Sequence, residues 1–368
     1  MTTIAQDANT LTAFRRWAIL FSVTLATTQY AMAILVVSVV LPQMQGSLSA
    51  TQDEIAWVMT FNILATAVMT PMSGWLAARF GWRRVMLGSM AGFTVATLFC
   101  GLATSLPVLV LFRIAQGAFG APLIPLGQAI LLDSFPRHQH GMATSVFGMA
   151  VVVGPVIGPV LGGWLAEDYG WQAAFFMFLP LGVIALAGLY LVLTDKGRQP
   201  GVSLDWTGFL TLSIAVIGLQ LLLSRGQRHD WFESPEIIIE AVLALIALHL
   251  FIVHSLTARR PFLNPSLLLN RNFVIGLIIV AIYGMLNFTP MVLLPPMLQG
   301  LLGYPDGVIG VLLGLRGVGA IFGFFAAMFV SRLDPRIGMT IGFLIQIASG
   351  LHMSSFDINV TIMDVGLN

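Results

Sequence analysis

Long apolar runs, each closed by arginines or turn residues, constrain this chain more than any other feature. A hydrocarbon layer about 30 Å thick takes roughly 20 apolar residues as a helix, and it leaves no backbone group open. Runs of this length begin with Trp17–Leu41, Ile55–Ala78, Val85–Thr104, Leu106–Leu132, Met142–Leu165 and Ala173–Leu193. They continue with Trp206–Leu223, Ile237–Ser255, Phe273–Gln299, Val308–Val330 and Ile337–Met353. The pattern predicts an all-α polytopic membrane protein with eleven spans. Composition agrees, since only 9% of residues are charged, against about 25% in soluble domains. A net charge of +1 gives no reason to expect nucleic acid. Cys100 is the single cysteine, so no intrachain disulfide can form.

The loops carry the orientation. With the N-terminus inside, thirteen arginines and lysines fall on one side, and only Arg225 and Arg228 on the other. The positive-inside rule then puts the N-terminus in the cytoplasm. Residues 1–14 are polar and lack the short apolar core of a signal peptide, so the first run is expected to stay as a span. Polar breaks divide the chain into a six-span bundle over 1–194, a two-span insert over 195–258, and three spans of a second set over 259–368. AARFGWRR after the second span is echoed by VSRLDPRIG after the tenth, each with arginines four apart. That spacing suggests a repeat whose second half lacks three spans.

The fifth span contains the most unusual pattern. Gly154, Gly158 and Gly162 recur every four residues on one helix face. Pro155, Pro159 and Gly163 form a second stripe beside it. Each proline removes an amide, freeing the carbonyls of Val151 and Pro155. Such a helix can pack closely and still shift, which reads as a hinge. The plainer alternative is a tight helix pair with no moving part.

Few ionisable groups lie deep in any span. Arg113 sits about 10 Å into the fourth, where an unpaired arginine is costly, and Gln116 lies one turn further in. Arg316 lies near mid-depth of the tenth span among Gly314, Gly317 and Gly319. Asp133, Asp205 and Glu240 fall near span ends, and His249 and His254 read as hydrogen-bonded structural histidines. No paired carboxylates, metal cluster or activated nucleophile is visible within the spans, which argues against an intramembrane enzyme and against a bound cofactor.

Four segments together resemble a known family. GWLAARFGWRR, with Gly74, Arg79, Gly81, Arg83 and Arg84, is similar to a signature loop after the second span of the major facilitator superfamily. LFRIAQGAFGAPLIPLGQAILL (Leu111–Leu132) resembles its fourth-span motif, and GPVIGPVLGGW (Gly154–Trp164) its antiporter motif. LLLSRGQRHDWFESPEI (Leu221–Ile237) is similar to the insert loop of the fourteen-span drug:proton antiporter branch. The chain departs from the pattern at Ala78, where an aspartate is usual, and at Ala33 and Ser38, where the branch has a membrane carboxylate and an asparagine. The family pattern also runs through three further spans.

The resemblance implies a major facilitator fold of two helical bundles plus a two-span insert, the second bundle incomplete. It implies an inner-membrane exporter of small hydrophobic compounds working by alternating access. No cofactor is expected; a proton gradient supplies the energy, with Arg113, Gln116 and Arg316 as coupling candidates. The cavity between the halves is expected to present Gln29, Tyr30, Asn62, Gln128 and Asn287, with Met32, Met59, Phe61, Met149 and Met291 as an adaptable wall. The signature-loop arginines are expected to set orientation and to latch the halves. The partners implied are the lipid bilayer, a periplasmic adaptor and an outer-membrane channel. Two alternatives stay open: a truncated, transport-incompetent fragment, and an exporter of a lipid or metabolite.

Overall fold

Helix starts and stops follow local chemistry. The computed structural model describes residues 12–199, 201–300, 302–330 and 335–356. Helix α1 (Ala13–Ser47) begins at Thr12, whose hydroxyl accepts from the Arg15 amide. Helix α2 (Gln52–Met69) begins with a reciprocal capping box between Thr51 and Glu54. A 54° bend separates it from α3 (Ser73–Phe80), so the second expected span is a broken helix. Pro71 stands in that break and supplies the physical reason, since it cannot donate to the preceding turn. Gly81, at φ +91°, ends α3 and opens α4 (Trp82–Gly101).

The fourth span is also interrupted, into α5 (Leu106–Gly120) and α6 (Leu123–Ser134), at Ala121–Pro122. Helix α7 (His140–Tyr169) runs unbroken through both Pro155 and Pro159. A short turn, α8 (Ala173–Phe176), leads into α9 (Phe178–Val192). The insert is a hairpin of α10 (Trp206–Arg225) and α11 (Pro235–Thr257). Helices α12 (Arg271–Gly300), α13 (Asp306–Val330) and α14 (Pro335–Met353) follow.

Among the described residues eight helical segments are long and apolar enough to cross a membrane, or nine when the bent α2–α3 pair counts as one span. Helices α13 and α14 occupy the tenth and eleventh expected positions.

One core joins the first six spans, with Val36, Val58, Met86, Phe93, Leu109 and Phe175 all essentially buried. Helix α1 is central to it, packing on α7, α9, α6 and α2. Helix α7 has a second neighbour in α13, which ties the later helices to the bundle. The hairpin packs on itself and on α2. Outward-facing apolar residues such as Leu191 (78% exposed) and Leu245 (66% exposed) cover the flanks. In water such a surface would aggregate; in hydrocarbon it is solvated.

Candidate functional site

Arg113 organises a polar network inside an otherwise apolar bundle. Its side chain is 1% exposed. Nε donates to the Val58 carbonyl on α2 at 3.1 Å, and Nη1 donates to the Ala33 carbonyl on α1 at 3.2 Å. Nη1 also donates to Gln116 Oε1, one turn along α5. Gln116 Nε2 passes the chain on to Thr97 Oγ1 on α4 at 2.7 Å. The Arg113 carbonyl accepts from Asn62 Nδ2 at 2.8 Å. Thr66 Oγ1 donates to the Asn62 carbonyl at 2.9 Å and accepts from Tyr30 Oη at 2.8 Å. Four helices are thereby joined, three through the guanidinium and the fourth through Gln116.

Glycines make this closeness possible. A Cβ on Gly117 would collide with the Asn62 backbone, and one on Gly120 with the Tyr30 ring. Tyr30 meets Phe93 edge-on, with centroids 6.0 Å apart. The cation is held entirely by neutral acceptors: two carbonyls and an amide. Arg113 Nη2, both amide atoms of Gln29 and Asn62 Oδ1 are buried with no partner among the described residues. Those groups give the network spare donors and acceptors, which a rearranged or hydrated state can use.

The structure redistributes the expected cavity residues. Gln29, Tyr30 and Asn62 are buried within the six-span bundle instead of lining an open wall. Gln128 is exposed on α6, on the opposite side from buried Leu126, Gly127 and Ile130. Asn287 is half-buried on α12. Arg316 lies on α13, but its side chain, like that of Met291, is outside the described residues. Arg332, the tenth-span counterpart of Arg79, also lies outside them. Sequence reasoning missed Thr66 and Thr97, which carry the network between helices.

The fifth-span stripe meets a matching row on α1. A Cβ on Gly154 would lie 3.0 Å from Thr28 Cγ2, and one on Gly158 would lie 2.9 Å from the Met32 carbonyl oxygen. A Cβ on Gly162 would strike Val36. Thr28, Met32 and Val36 are themselves four apart, so two helical rows interlock. Pro155, Pro159 and Gly163 are buried as well. On the other side α13 closes in through its own glycines: a Cβ on Gly310 would lie 3.3 Å from Val160 Cα, and one on Gly314 would lie 3.2 Å from Val160 Cγ2. Helix α7 is therefore closely packed on two sides, through its own glycines toward α1 and through the glycines of α13 on the other.

The signature-loop arginines mostly serve their own bundle. Arg83 Nη2 donates to the Tyr190 carbonyl at 3.0 Å and stacks its guanidinium over the Tyr190 ring at 4.9 Å. Arg84 faces Asp195 at 3.7 Å, an exposed pair. The Trp82 amide donates to the Lys196 carbonyl, and the Gln199 amide to the Ala78 carbonyl, so segment 193–199 is strapped beneath α3 and α4. Arg79 and Gly74 are exposed. These contacts bind the bundle's ends together; of the expected latch onto the second set, Arg332 lies outside the described residues.

The chain matches the family model described as Major Facilitator Superfamily over residues 20–365. It is 35% identical over 336 residues to the multidrug export protein EmrB of Escherichia coli (strain K12), covering 88% of this chain and 64% of that protein. It is 34% identical over 361 residues to EmrB of Haemophilus influenzae, covering 94% of this chain and 68% of the relative. It is 35% identical over 314 residues to the fatty acid resistance protein FarB of Neisseria gonorrhoeae, covering 84% and 61% respectively. The chain thus spans about two thirds of the length of these relatives. Among solved structures, its fold is similar to a peptide transporter POT variant in complex with sulfate, with TM-score 0.63 and 14% identity, covering 91% of this chain and 73% of that one. A bacterial homolog of the human lysosomal transporter Spinster gives TM-score 0.56 at 17% identity, covering 96% and 72%.

Proposed function

Because the chain belongs to the major facilitator superfamily, we propose that it exports hydrophobic or amphipathic compounds across the inner membrane by alternating access. The observation that carries this reading is the position of α7, clasped by α1 on one face and by α13 on the other through glycines. Small-residue seams let packed helices slide with little loss of contact, and two prolines remove amides that would stiffen α7. Rocking of the later helices against the first bundle is thereby centred on this helix. Multidrug export by the EmrB relatives supports the direction and the substrate class.

Proton antiport is the proposed energy source, with Arg113 and Gln116 as the coupling pair. Their network has unpartnered atoms and no carboxylate among the described residues, so its hydrogen bonds can rearrange without breaking an ion pair. Arg316 is retained as a coupling candidate on the tenth span. The N-terminus faces the cytoplasm in this reading, and an adaptor with an outer-membrane channel would receive the exported compound.

Cells making the protein should retain less of a lipophilic dye than cells without it, and a protonophore should erase the difference. Equal retention with and without the protein would reject export. A second reading, export of lipid-like acids, draws on the fatty acid resistance relative. Protection of cells against long-chain fatty acids, with dye retention unchanged, would favour it.

A further inference from the structure

Beyond the Arg113 network, an unexplained feature is a cavity of about 610 Å³ where α3 meets the base of the insert. Its wall includes Trp75 of α3, Ser203 and Asp205 ahead of α10, and Arg260 and Phe262 beyond α11. Arg79 on α3, Arg198 ahead of α10, and Arg259 and Arg260 after α11 lie close by in the sequence. Under the positive-inside rule, such an arginine-rich level is where lipid headgroups meet the protein.

Its polar groups point to an anionic ligand. Arg260 is exposed into this region and makes no hydrogen bond or ion pair among the described residues. Trp75 Nε1 is buried with no acceptor among them. Asp205 looks like an obstacle to an anion, but its oxygens are already occupied. Oδ1 accepts from the Gly208 amide at 3.0 Å, Oδ2 accepts from the Phe262 amide at 2.9 Å, and His254 Nε2 lies 2.8 Å from Oδ1. Gln199 and Ser203 add neutral polar side chains; the rest of the lining is apolar or backbone, including Pro71, Leu263 and Gly74, and a Cβ on Gly74 would meet nothing within 4 Å. A free guanidinium, an indole N–H and an apolar flank together form the pattern of a basic pocket between membrane helices.

We propose that this cavity binds the phosphate-ester headgroup of an anionic phospholipid from the arginine-rich leaflet, with Arg260 as its cation and Trp75 as its interfacial anchor. The bound lipid joins α3 to the base of the insert. This assignment is independent of what the protein exports.

The test is native mass spectrometry and thermal unfolding of the full chain in detergent, with phosphatidylglycerol or phosphatidylcholine added at equal concentration. Phosphatidylglycerol should be retained and should raise Tm, and phosphatidylcholine should not. Arg260→Gln should lose about fivefold in that preference, the worth of one arginine at an anionic surface. Trp75→Phe should weaken retention, and Arg259→Gln, which lies outside the cavity, should leave it intact. Glycerol phosphate forms a separate arm: displacement of the lipid by it supports the phosphate site and assigns the ligand to solution. Equal binding of the two lipids, or equal losses in Arg259→Gln and Arg260→Gln, would overturn the site in favour of diffuse surface charge.

Discussion

The carbonyl oxygen of Ala33 accepts a hydrogen bond from the Arg113 guanidinium at 3.2 Å. Position 33 is where the related pattern carries a membrane carboxylate, so the place of a countercharge is here filled by a backbone dipole. The cation is held by three neutral acceptors from three helices.

That arrangement separates stability from function. Hydrogen bonds from a charged donor contribute about 1.5–3 kcal/mol each, while hiding the guanidinium from water costs several kcal/mol. The two nearly offset, so Arg113→Met, of similar volume, should change stability by less than about 2 kcal/mol. The same variant should lose gradient-driven transport. Thermal unfolding and dye efflux on one preparation check both halves, and a variant that fails to fold would make Arg113 a structural residue.

The α1–α7 seam gives a rescue experiment. Gly162→Ala should destabilise by about 1–3 kcal/mol through overpacking on Val36, and Val36→Ala should restore it by making room. Gly158→Ala should resist rescue, because its new methyl meets the Met32 backbone at 2.9 Å and no side-chain trimming moves that. Unfolding curves for the three single and one double variant decide the matter.

Asp205 predicts an acid-side loss of stability. Burial pushes its carboxyl up, but the Gly208 amide, His254 and the Phe262 amide outweigh this and hold it below its ordinary range. A depressed carboxyl stabilises the fold fully above its unfolded value, about 3.9. The contribution disappears as pH falls through the lower folded value. Tm should therefore drop below about pH 4, and Asp205→Ala, which also removes the α10 cap, should flatten that drop at a cost near 1 kcal/mol. A pH-independent difference between the two proteins would contradict the assignment.

Cys100 is fully buried in α4 and is the sole cysteine. A maleimide dye should leave the folded protein unlabelled and react one-to-one on heating. Rapid labelling at room temperature would show that the bundle around Thr97 and Gln116 opens more readily than its packing implies.

Much of this was legible in the sequence because hydrocarbon imposes its own length and composition on a span. Arg113, Gln116 and the glycine stripe stood out for the same reason: polar and bare residues are rare there. Other features gave no such signal. Gln29, Tyr30 and Asn62 were expected on a cavity wall, yet a helix in lipid is apolar all round, so periodicity does not separate the bundle interior from the cavity. Thr66 and Thr97 were missed because a membrane threonine commonly bonds its own preceding turn, as Thr97 does to the Phe93 carbonyl at 2.7 Å. The Asp205–His254 contact spans 49 residues and exists only once the hairpin closes. The second span was expected unbroken over Ile55–Ala78; Pro71 stands in its break, but a proline alone does not distinguish a kink from the 54° turn observed.

The most direct test of the account is proton-coupled transport in proteoliposomes with an imposed inside-acid gradient. Wild-type protein should accumulate a lipophilic dye while the lumen turns alkaline, and both signals should fall to leak level in Arg113→Gln or when the gradient is collapsed. Accumulation that persists without the gradient, or at the wild-type rate in Arg113→Gln, would contradict proton antiport through the Arg113 network.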